Sequence, residues 1–212
     1  MDATLEKAIA REKEYNMIKD IASKAYELVS FVFPFLPPWV VERRVNTLIK
    51  VCKKVEEKLN ASGLSKKQKR YCSLKLGIPW VENASLEEDE TLQNLWAVLL
   101  VNASNADFKE EIRVAYIDII KVLSPLDVRI MEFMWPQKLF PLPTTTNERF
   151  QICKALGADW DDIEVGLDNL RRLQLIASPH RADMMPVVGE GDLRFTPLGY
   201  AFLRACVAST RS

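Results

Sequence analysis

Residues 85–101 read Ser-Leu-Glu-Glu-Asp-Glu-Thr-Leu-Gln-Asn-Leu-Trp-Ala-Val-Leu-Leu-Val, and this stretch combines the signals of a helix start with those of a buried helix. Ser85, followed three residues later by Glu88, has the form of a capping box, in which each side chain bonds a backbone N–H that the first turn leaves unpaired. The acidic residues after Ser85 place negative charge at the positive end of the helix dipole. The sequence therefore predicts a core helix that begins at Ser85. Its buried stripe has helical spacing and consists of Leu92, Leu95, Trp96, Leu99 and Leu100.

The composition is typical of a helical globular protein. The chain has 212 residues, of which 48% are apolar, enough for one large or two small domains. Only 7 glycines accompany long helical periodicities, which favours a mainly α fold. The N-terminus is polar and charged, unlike a signal peptide, so we expect a cytoplasmic protein. The four cysteines match no spacing of a zinc site or a disulfide framework and are expected in a reduced core: Cys52, Cys72, Cys153 and Cys206.

The net charge of zero hides an uneven distribution of charge along the chain. Residues 1–75 contain 16 Lys and Arg against 9 Asp and Glu, whereas residues 76–123 contain 3 against 9. Such asymmetry is found where a protein binds an anionic partner, such as nucleic acid or a membrane surface. It is also found where oppositely charged helices pack side by side. We favour the second interpretation, because surface charge commonly serves only solvation.

Residues 28–41, Leu-Val-Ser-Phe-Val-Phe-Pro-Phe-Leu-Pro-Pro-Trp-Val-Val, are almost uniformly apolar. Crossing a bilayer takes a helix of roughly 17 residues or more, and prolines would interrupt such a helix, so we expect no transmembrane span. We favour a buried corner, in which the prolines end one helix and start the next while the aromatic side chains fill the core. Those side chains belong to Phe31, Phe33, Phe35 and Trp39.

A second interpretation places the same segment at the surface of a membrane. Aromatic side chains favour the headgroup boundary, and nearby cations, Lys50 among them, would attract anionic lipids. The contact residues of this hypothesis, for a membrane or for another partner, are Phe33, Phe35, Trp39, Arg43 and Arg44.

Further helices are predicted on both sides of the central one. Apolar periodicity predicts a helix from about residue 40 to residue 59, and another over residues 108–123. The basic run Ser-Lys-Lys-Gln-Lys-Arg at residues 65–70 begins a short helix that ends before Gly77 and Pro79. A run of this length is more typical of a solvated helix face than of a nucleic-acid patch.

The region after residue 123 has the element order of a winged helix-turn-helix domain. Three helices, a short strand, a polar turn, a returning strand and a last helix follow one another. We therefore predict a helical domain over residues 1–123 and a winged-helix-like domain over residues 124–212. The helices of the second domain begin at Ser124-Pro125, at Thr146 or Asn147, at Asp159 and at Thr196-Pro197, and its strands are Leu175-Ile176 and Leu193-Arg-Phe195.

The third helix of this domain would enter the major groove of DNA, but its charge opposes that role. The N-terminal half of such a helix faces base edges and phosphates, whereas here it is acidic. Its apolar residues include Ile163, Val165 and Leu167. We therefore regard nucleic-acid binding as the weaker hypothesis and predict a protein-docking face. Its residues are Asp159, Asp161, Asp162, Arg171 and Arg172.

Three stretches of the chain carry a family resemblance. They are residues 78–103, which contain Leu-Gln-Asn-Leu-Trp-Ala-Val-Leu-Leu after the acidic run, residues 119–127, Ile-Ile-Lys-Val-Leu-Ser-Pro-Leu-Asp, and residues 195–199, Phe-Thr-Pro-Leu-Gly. Together they resemble the Abi-alpha family, a bacterial family once described as a domain of unknown function and named for abortive infection. The resemblance covers roughly residues 40–207. It implies a setting in phage defence, and it implies no catalytic residue.

No arrangement of residues dictates a reaction. The single histidine, His180, falls in the predicted polar turn, where an exposed loop residue is a simpler account than a general base. Motifs of the forms GxxxxGK[ST], GxGxxG and HExxH do not occur in the sequence. Cys153 lies in an apolar helical pattern, which indicates a buried, inert thiol. We therefore predict a protein that is not an enzyme, with no catalytic residue, no cofactor and no metal site.

The leading hypothesis is a bacterial antiphage defence component of the abortive-infection type that acts by binding. We expect a protein partner, a second copy of the chain or a membrane surface, with a phage component as a trigger, in the cytoplasm and at the periphery of the inner membrane. One alternative is a winged-helix regulator that binds nucleic acid. Another is an adaptor that oligomerises through the helix at residues 85–101.

Overall fold

A computed structural model describes residues 23–62, 70–135, 146–178 and 193–207. These residues are mainly helical and include one small antiparallel sheet, which confirms the mainly α fold class. Internal contacts divide the chain into two compact units, residues 1–117 (unit 1) and residues 118–212 (unit 2), and each is described by itself. The sequence predicts two domains with a boundary between residues 123 and 124. That these domains fold independently stays a prediction.

Unit 1 contains four helices among its described residues. They are α1 (residues 23–32), α2 (Pro38–Ala61), α3 (Leu74–Ala84) and α4 (Glu90–Ala103). A short helix, α5 (Ala115–Ile120), follows and runs across the division between the units. The helix predicted over residues 108–123 is therefore much too long. Phe108 and Ile112 are only half-buried, so a helical turn there would gain little packing to offset its costly nucleation.

The centre of unit 1 is α4, which is buried on nearly all sides. The predicted stripe is confirmed except at Leu100, which is only half-buried. Val98 and Val101, which lie on other faces of the helix, are buried as well. Beside it, the indole Nε1 of Trp80 donates a hydrogen bond of 2.9 Å to the backbone carbonyl of Trp96. Leu86, Glu88, Glu90 and Asn94 are nevertheless exposed within residues 85–101. Oligomerisation through this stretch therefore stays a prediction.

The start of α4 differs from the prediction by five residues. The helix begins at Glu90, and the Asp89 carboxylate caps it by accepting hydrogen bonds from the backbone N–H groups of Thr91 and Leu92, at 2.8 and 3.1 Å. Ser85 instead lies at the C-terminal end of α3, where its hydroxyl donates to the carbonyl of Glu82. The capping box of Ser85 is therefore wrong, because the preceding helix already occupies that position.

The break predicted at Gly77 and Pro79 is also wrong, because both residues lie inside α3. Pro79 lacks the N–H that would bond a carbonyl of the preceding turn. The helix persists because one face of it is buried, including Leu76 and Trp80. Most helical stability in proteins comes from such packing, which here outweighs the missing hydrogen bond.

Unit 2 contains the remaining helices and the sheet. The helices are α6 (Pro125–Met134), α7 (Thr146–Leu156), α8 (Trp160–Arg172) and α9 (Pro197–Cys206). The strands β1 (Ile176–Ala177) and β2 (Arg194–Phe195) pair antiparallel, with Ile176 opposite Phe195. This order of elements agrees with the prediction, and the turn between the strands, with His180, lies outside the described residues.

The helix starts predicted for unit 2 are accurate. Ser124 and Asp127 form a reciprocal capping box at the start of α6. The Thr196 hydroxyl accepts a hydrogen bond from the Gly199 N–H at the start of α9. Asp159 occupies the N-cap position of α8, although its side chain makes no capping hydrogen bond. These starts depend on neighbouring residues, which is why the sequence alone can predict them.

Two glycines allow close packing in unit 2. A Cβ on Gly166 of α8 would lie 2.6 Å from the Cδ1 atom of Ile130, so glycine lets α8 approach α6. A Cβ on Gly199 of α9 would lie 2.0 Å from the backbone carbonyl oxygen of Leu175. Both approaches are shorter than any ordinary carbon contact, so a larger residue at either position requires the structure to shift.

Candidate functional site

The corner between α1 and α2 is an exposed aromatic region of unit 1. Phe31, Phe35 and Trp39 are 75%, 97% and 69% exposed, and we call these three residues the aromatic corner. The preferred interpretation of the sequence, in which they fill the core, is therefore wrong. Residues 33–37 form the turn between α1 and α2, and the α2 side chains that face the core are Val41, Val45, Leu48 and Val51.

Phe33 and Arg44 belong to the internal structure of this corner. The guanidinium of Arg44 lies 4.0 Å from the centre of the Phe33 ring, a cation–π contact. Its Nη1 atom donates hydrogen bonds of 3.1 Å to the carbonyl of Glu82 and to the hydroxyl of Ser85. Burial lowers the pKa of Arg44, and the charge of Glu82 acts in the opposite direction. Arg44 therefore connects the corner to the end of α3 through its Nη1 atom.

Arg43 is also paired, although it is exposed. Its Nε atom lies 3.0 Å from Oε1 of Glu88, and its Nη2 atom contacts the same oxygen. The two residues are 45 positions apart in the chain. An exposed pair of this kind contributes roughly 0 to 1 kcal/mol to stability, but it cancels the charge of Arg43. Neither arginine of the predicted membrane contact is thus an unopposed cation.

A groove of about 410 Å³ lies beside Trp39 on the surface of α2. Glu42, Asn46 and Lys50 are exposed and stand at four-residue spacing, so they form one row along the helix. Two negative and two positive side chains line the groove, and its net charge is therefore close to zero. We call it the mixed-charge groove, and its lining residues are Trp39, Glu42, Arg43, Asn46, Thr47, Lys50, Glu88 and Gln93.

The residues of the predicted docking face lie at opposite ends of α8. Asp159, Asp161 and Asp162 are exposed at the start of the helix, and Arg171 and Arg172 lie in its last turn. A helix of this length separates its ends by about 18 Å, so the charges do not form one patch. Nη1 of Arg171 bonds Oδ1 of Asp168 at 2.6 Å, and Nη2 of Arg172 bonds Oδ1 of Asn169 at 2.7 Å.

Between α6 and α8 the structure reveals an apolar surface that the sequence did not predict. Val165, one of the apolar residues of the predicted helix, is 70% exposed, and Val122 is exposed as well. Both line a groove of about 490 Å³ together with Leu126 and Asp162. Val165 fits the helical pattern of its neighbours Ile163 and Leu167 only loosely, since it lies two residues from each. This two-residue separation is the feature of the sequence from which the exposure of Val165 could have been predicted.

Burial makes three of the thiols poorly suited to nucleophilic catalysis. Burial, and secondarily the charge of Glu56, raises the pKa of Cys52 to about 11, and burial raises the pKa of Cys206 well above its usual value. Burial also raises the pKa of Cys72, against the effect of Arg70. Cys153 is only half-buried, so its predicted full burial is wrong. Within the described ranges no three His, Cys, Asp or Glu residues converge in a way that could hold a metal ion.

The protein is mainly helical, and its unit 1 carries an exposed aromatic corner beside a mixed-charge groove. Among the described helices, none combines the length and apolar character required to cross a membrane. A family model described as abortive infection alpha matches residues 43–206. The chain therefore belongs to the abortive infection alpha family. No curated protein and no solved structure gives a significant match.

Proposed function

We propose that this protein is a component of abortive-infection defence that acts by binding rather than by catalysis. In this proposal it resides in the cytoplasm and attaches to the surface of the inner membrane through the aromatic corner. The observation that carries the proposal is the exposure of Phe31, Phe35 and Trp39 within nine residues of one another. Contiguous exposed apolar patches mark interaction sites, and three exposed aromatic residues so close in the chain favour such a patch.

Aromatic side chains suit the headgroup boundary of a membrane because they are apolar and rigid. Burying one such side chain contributes about 1.5 to 3 kcal/mol, before the cost of immobilising the protein. Three side chains therefore support reversible attachment, unlike the permanent insertion of a transmembrane helix. Because Arg43 and Arg44 are engaged within unit 1, this attachment depends on apolar contact and only weakly on charge.

Replacing Phe35 with aspartate tests the attachment. We expect Phe35→Asp to lower the partition coefficient onto lipid vesicles at least tenfold, because the carboxylate would have to be desolvated at the headgroup boundary. Phe35 is almost fully exposed, so the fold should persist, and thermal unfolding followed by circular dichroism checks this. Vesicle binding is measured by co-sedimentation.

The matched control is Phe150→Asp, which changes an exposed phenylalanine on α7 of unit 2. This variant should bind vesicles as the unaltered protein does. Undiminished binding by a folded Phe35→Asp variant would contradict the proposal, as would an equal loss in both variants.

For unit 2 we propose a winged-helix-like arrangement that contacts a protein, either a partner or a second copy of the chain. The order α6, α7, α8, β1, β2, α9 and the antiparallel pairing of the strands support the arrangement. The exposed acids Asp161 and Asp162 support a protein contact, because they would repel the phosphates that dominate the affinity for DNA. A phage protein that triggers the response is one such partner.

Binding to DNA tests this assignment. We expect a labelled DNA duplex of about 20 base pairs to show no fluorescence anisotropy change with the unaltered protein at low salt. The variant Asp161→Lys/Asp162→Lys should gain weak binding that is lost as salt is added, because two repulsive charges become attractive. Salt-sensitive binding by the unaltered protein would instead support the alternative of a nucleic-acid-binding regulator.

A further inference from the structure

We propose that the mixed-charge groove binds the phosphoethanolamine headgroup of a membrane lipid. The inference rests on the proposed membrane attachment and names the ligand class of that same surface. Trp39 joins the two features, since it belongs to the aromatic corner and also lines the groove. A lipid that contacts the corner therefore places its headgroup near the groove.

The row along α2 provides groups of both charges for such a headgroup. Glu42 and Lys50 are eight residues apart, about 12 Å along the helix axis, and their flexible side chains can converge over Asn46 between them. Both side chains are exposed, and so is that of Asn46. The ammonium group of the lipid donates hydrogen bonds to the Glu42 carboxylate, while its phosphate accepts them from the Lys50 ammonium and the Asn46 amide.

The charge balance of this region favours a zwitterionic headgroup over an anionic one. Glu42 and Glu88 offset Arg43 and Lys50 within the groove. Binding to anionic lipids needs an excess of basic residues, each contributing about 1 kcal/mol near the surface. The groove has no such excess. A headgroup that carries both charges can satisfy the two signs at once.

The lining also favours a primary ammonium over a quaternary one. Quaternary ammonium groups are recognised by cages of several aromatic rings, and in the part of the chain that the structure describes Trp39 is the one aromatic residue lining this groove. The other lining groups include carboxylates and the Asn46 amide, which accept hydrogen bonds. A primary ammonium donates three hydrogen bonds, whereas a quaternary group donates none.

Co-sedimentation with three kinds of vesicle tests the inference. One is pure phosphatidylcholine, and the others contain about 30% phosphatidylethanolamine or about 30% phosphatidylglycerol. We expect at least threefold tighter binding to the phosphatidylethanolamine vesicles than to either of the others, with little change as salt is raised. Glu42→Gln and Lys50→Gln should each reduce this binding to the phosphatidylcholine level. Glu57→Gln, which changes an exposed acid of α2 outside the groove, is the control.

The outcomes separate the inference from the attachment on which it rests. If no vesicle binds the protein, membrane attachment itself fails. If all three vesicles bind it equally, or if the phosphatidylglycerol vesicles bind it best and lose it in salt, attachment stands and the headgroup assignment is overturned. Equal binding by Glu42→Gln and the unaltered protein would also overturn it.

Discussion

Trp96→Ala is expected to lower the free energy of unfolding of unit 1 by about 3 to 5 kcal/mol, as deletion of a large buried aromatic side chain does. Trp96 is only 1% exposed and lies in the middle of α4, which packs against α2 and α3. Its removal leaves a cavity as well as losing apolar contact. Urea unfolding followed by circular dichroism measures the effect, with the slope of the transition checked for constancy.

Two further tryptophan variants sharpen this prediction. Trp39→Ala makes the same substitution at an exposed position, and its effect on stability should stay within about 0.5 kcal/mol. Trp96→Phe should cost much less than Trp96→Ala. Among the described residues no group accepts a hydrogen bond from the Trp96 indole N–H, so phenylalanine removes a buried polar atom that lacks a partner. Equal decreases in the free energy of unfolding for Trp39→Ala and Trp96→Ala would contradict the burial of Trp96 in the core of unit 1.

Gly199→Ala is expected to destabilise unit 2 by about 3 kcal/mol, at the upper end of the usual range for overpacking. The added Cβ would lie 2.0 Å from the carbonyl oxygen of Leu175. That oxygen cannot easily move, because it also accepts a hydrogen bond of 3.0 Å from the backbone N–H of Thr196. The clash is with backbone, so no side-chain rotation relieves it. Thermal unfolding of the intact protein measures the loss.

Gly77→Ala is the matched control for this substitution. Gly77 lies inside α3, where the nearest atom to an added Cβ is the Cys72 sulfur at 4.0 Å. Alanine should fit there and stabilise the helix by about 0.5 to 1 kcal/mol, because it loses less conformational freedom than glycine on folding. Neutral behaviour of Gly199→Ala would show that α9 does not pack against Leu175 as closely as described.

The proposed function depends on residues that the family resemblance does not cover. The family model matches residues 43–206, whereas Phe31, Phe35 and Trp39 precede that range. Membership in the abortive infection alpha family thus supports the defence setting. The aromatic corner supports the membrane attachment independently, through exposure alone. The two parts of the proposal can therefore fail separately.

Features that depend on residues within one or two helical turns could be predicted from the sequence. Helical spacing predicts the buried stripe of α4, and local side-chain capping predicts the starts of α6 at Ser124 and α9 at Thr196. The failures at Ser85 and Pro79 arose where two local signals competed or where packing outweighed one of them. A helix cap or a proline changes the free energy of helix formation by about 1 to 3 kcal/mol. Tertiary contacts can contribute more than this.

The residues of the candidate site could be recognised only from the way in which the helices pack. The aromatic run at residues 28–41 favours a buried corner when only the sequence is considered, because hydrophobicity indicates that a side chain favours burial without indicating what covers it. In the structure Phe35 is almost fully exposed. Arg43 is neutralised by Glu88, 45 residues away. Contacts between residues so distant in the chain depend on how the helices pack, and no local pattern in the sequence records that packing.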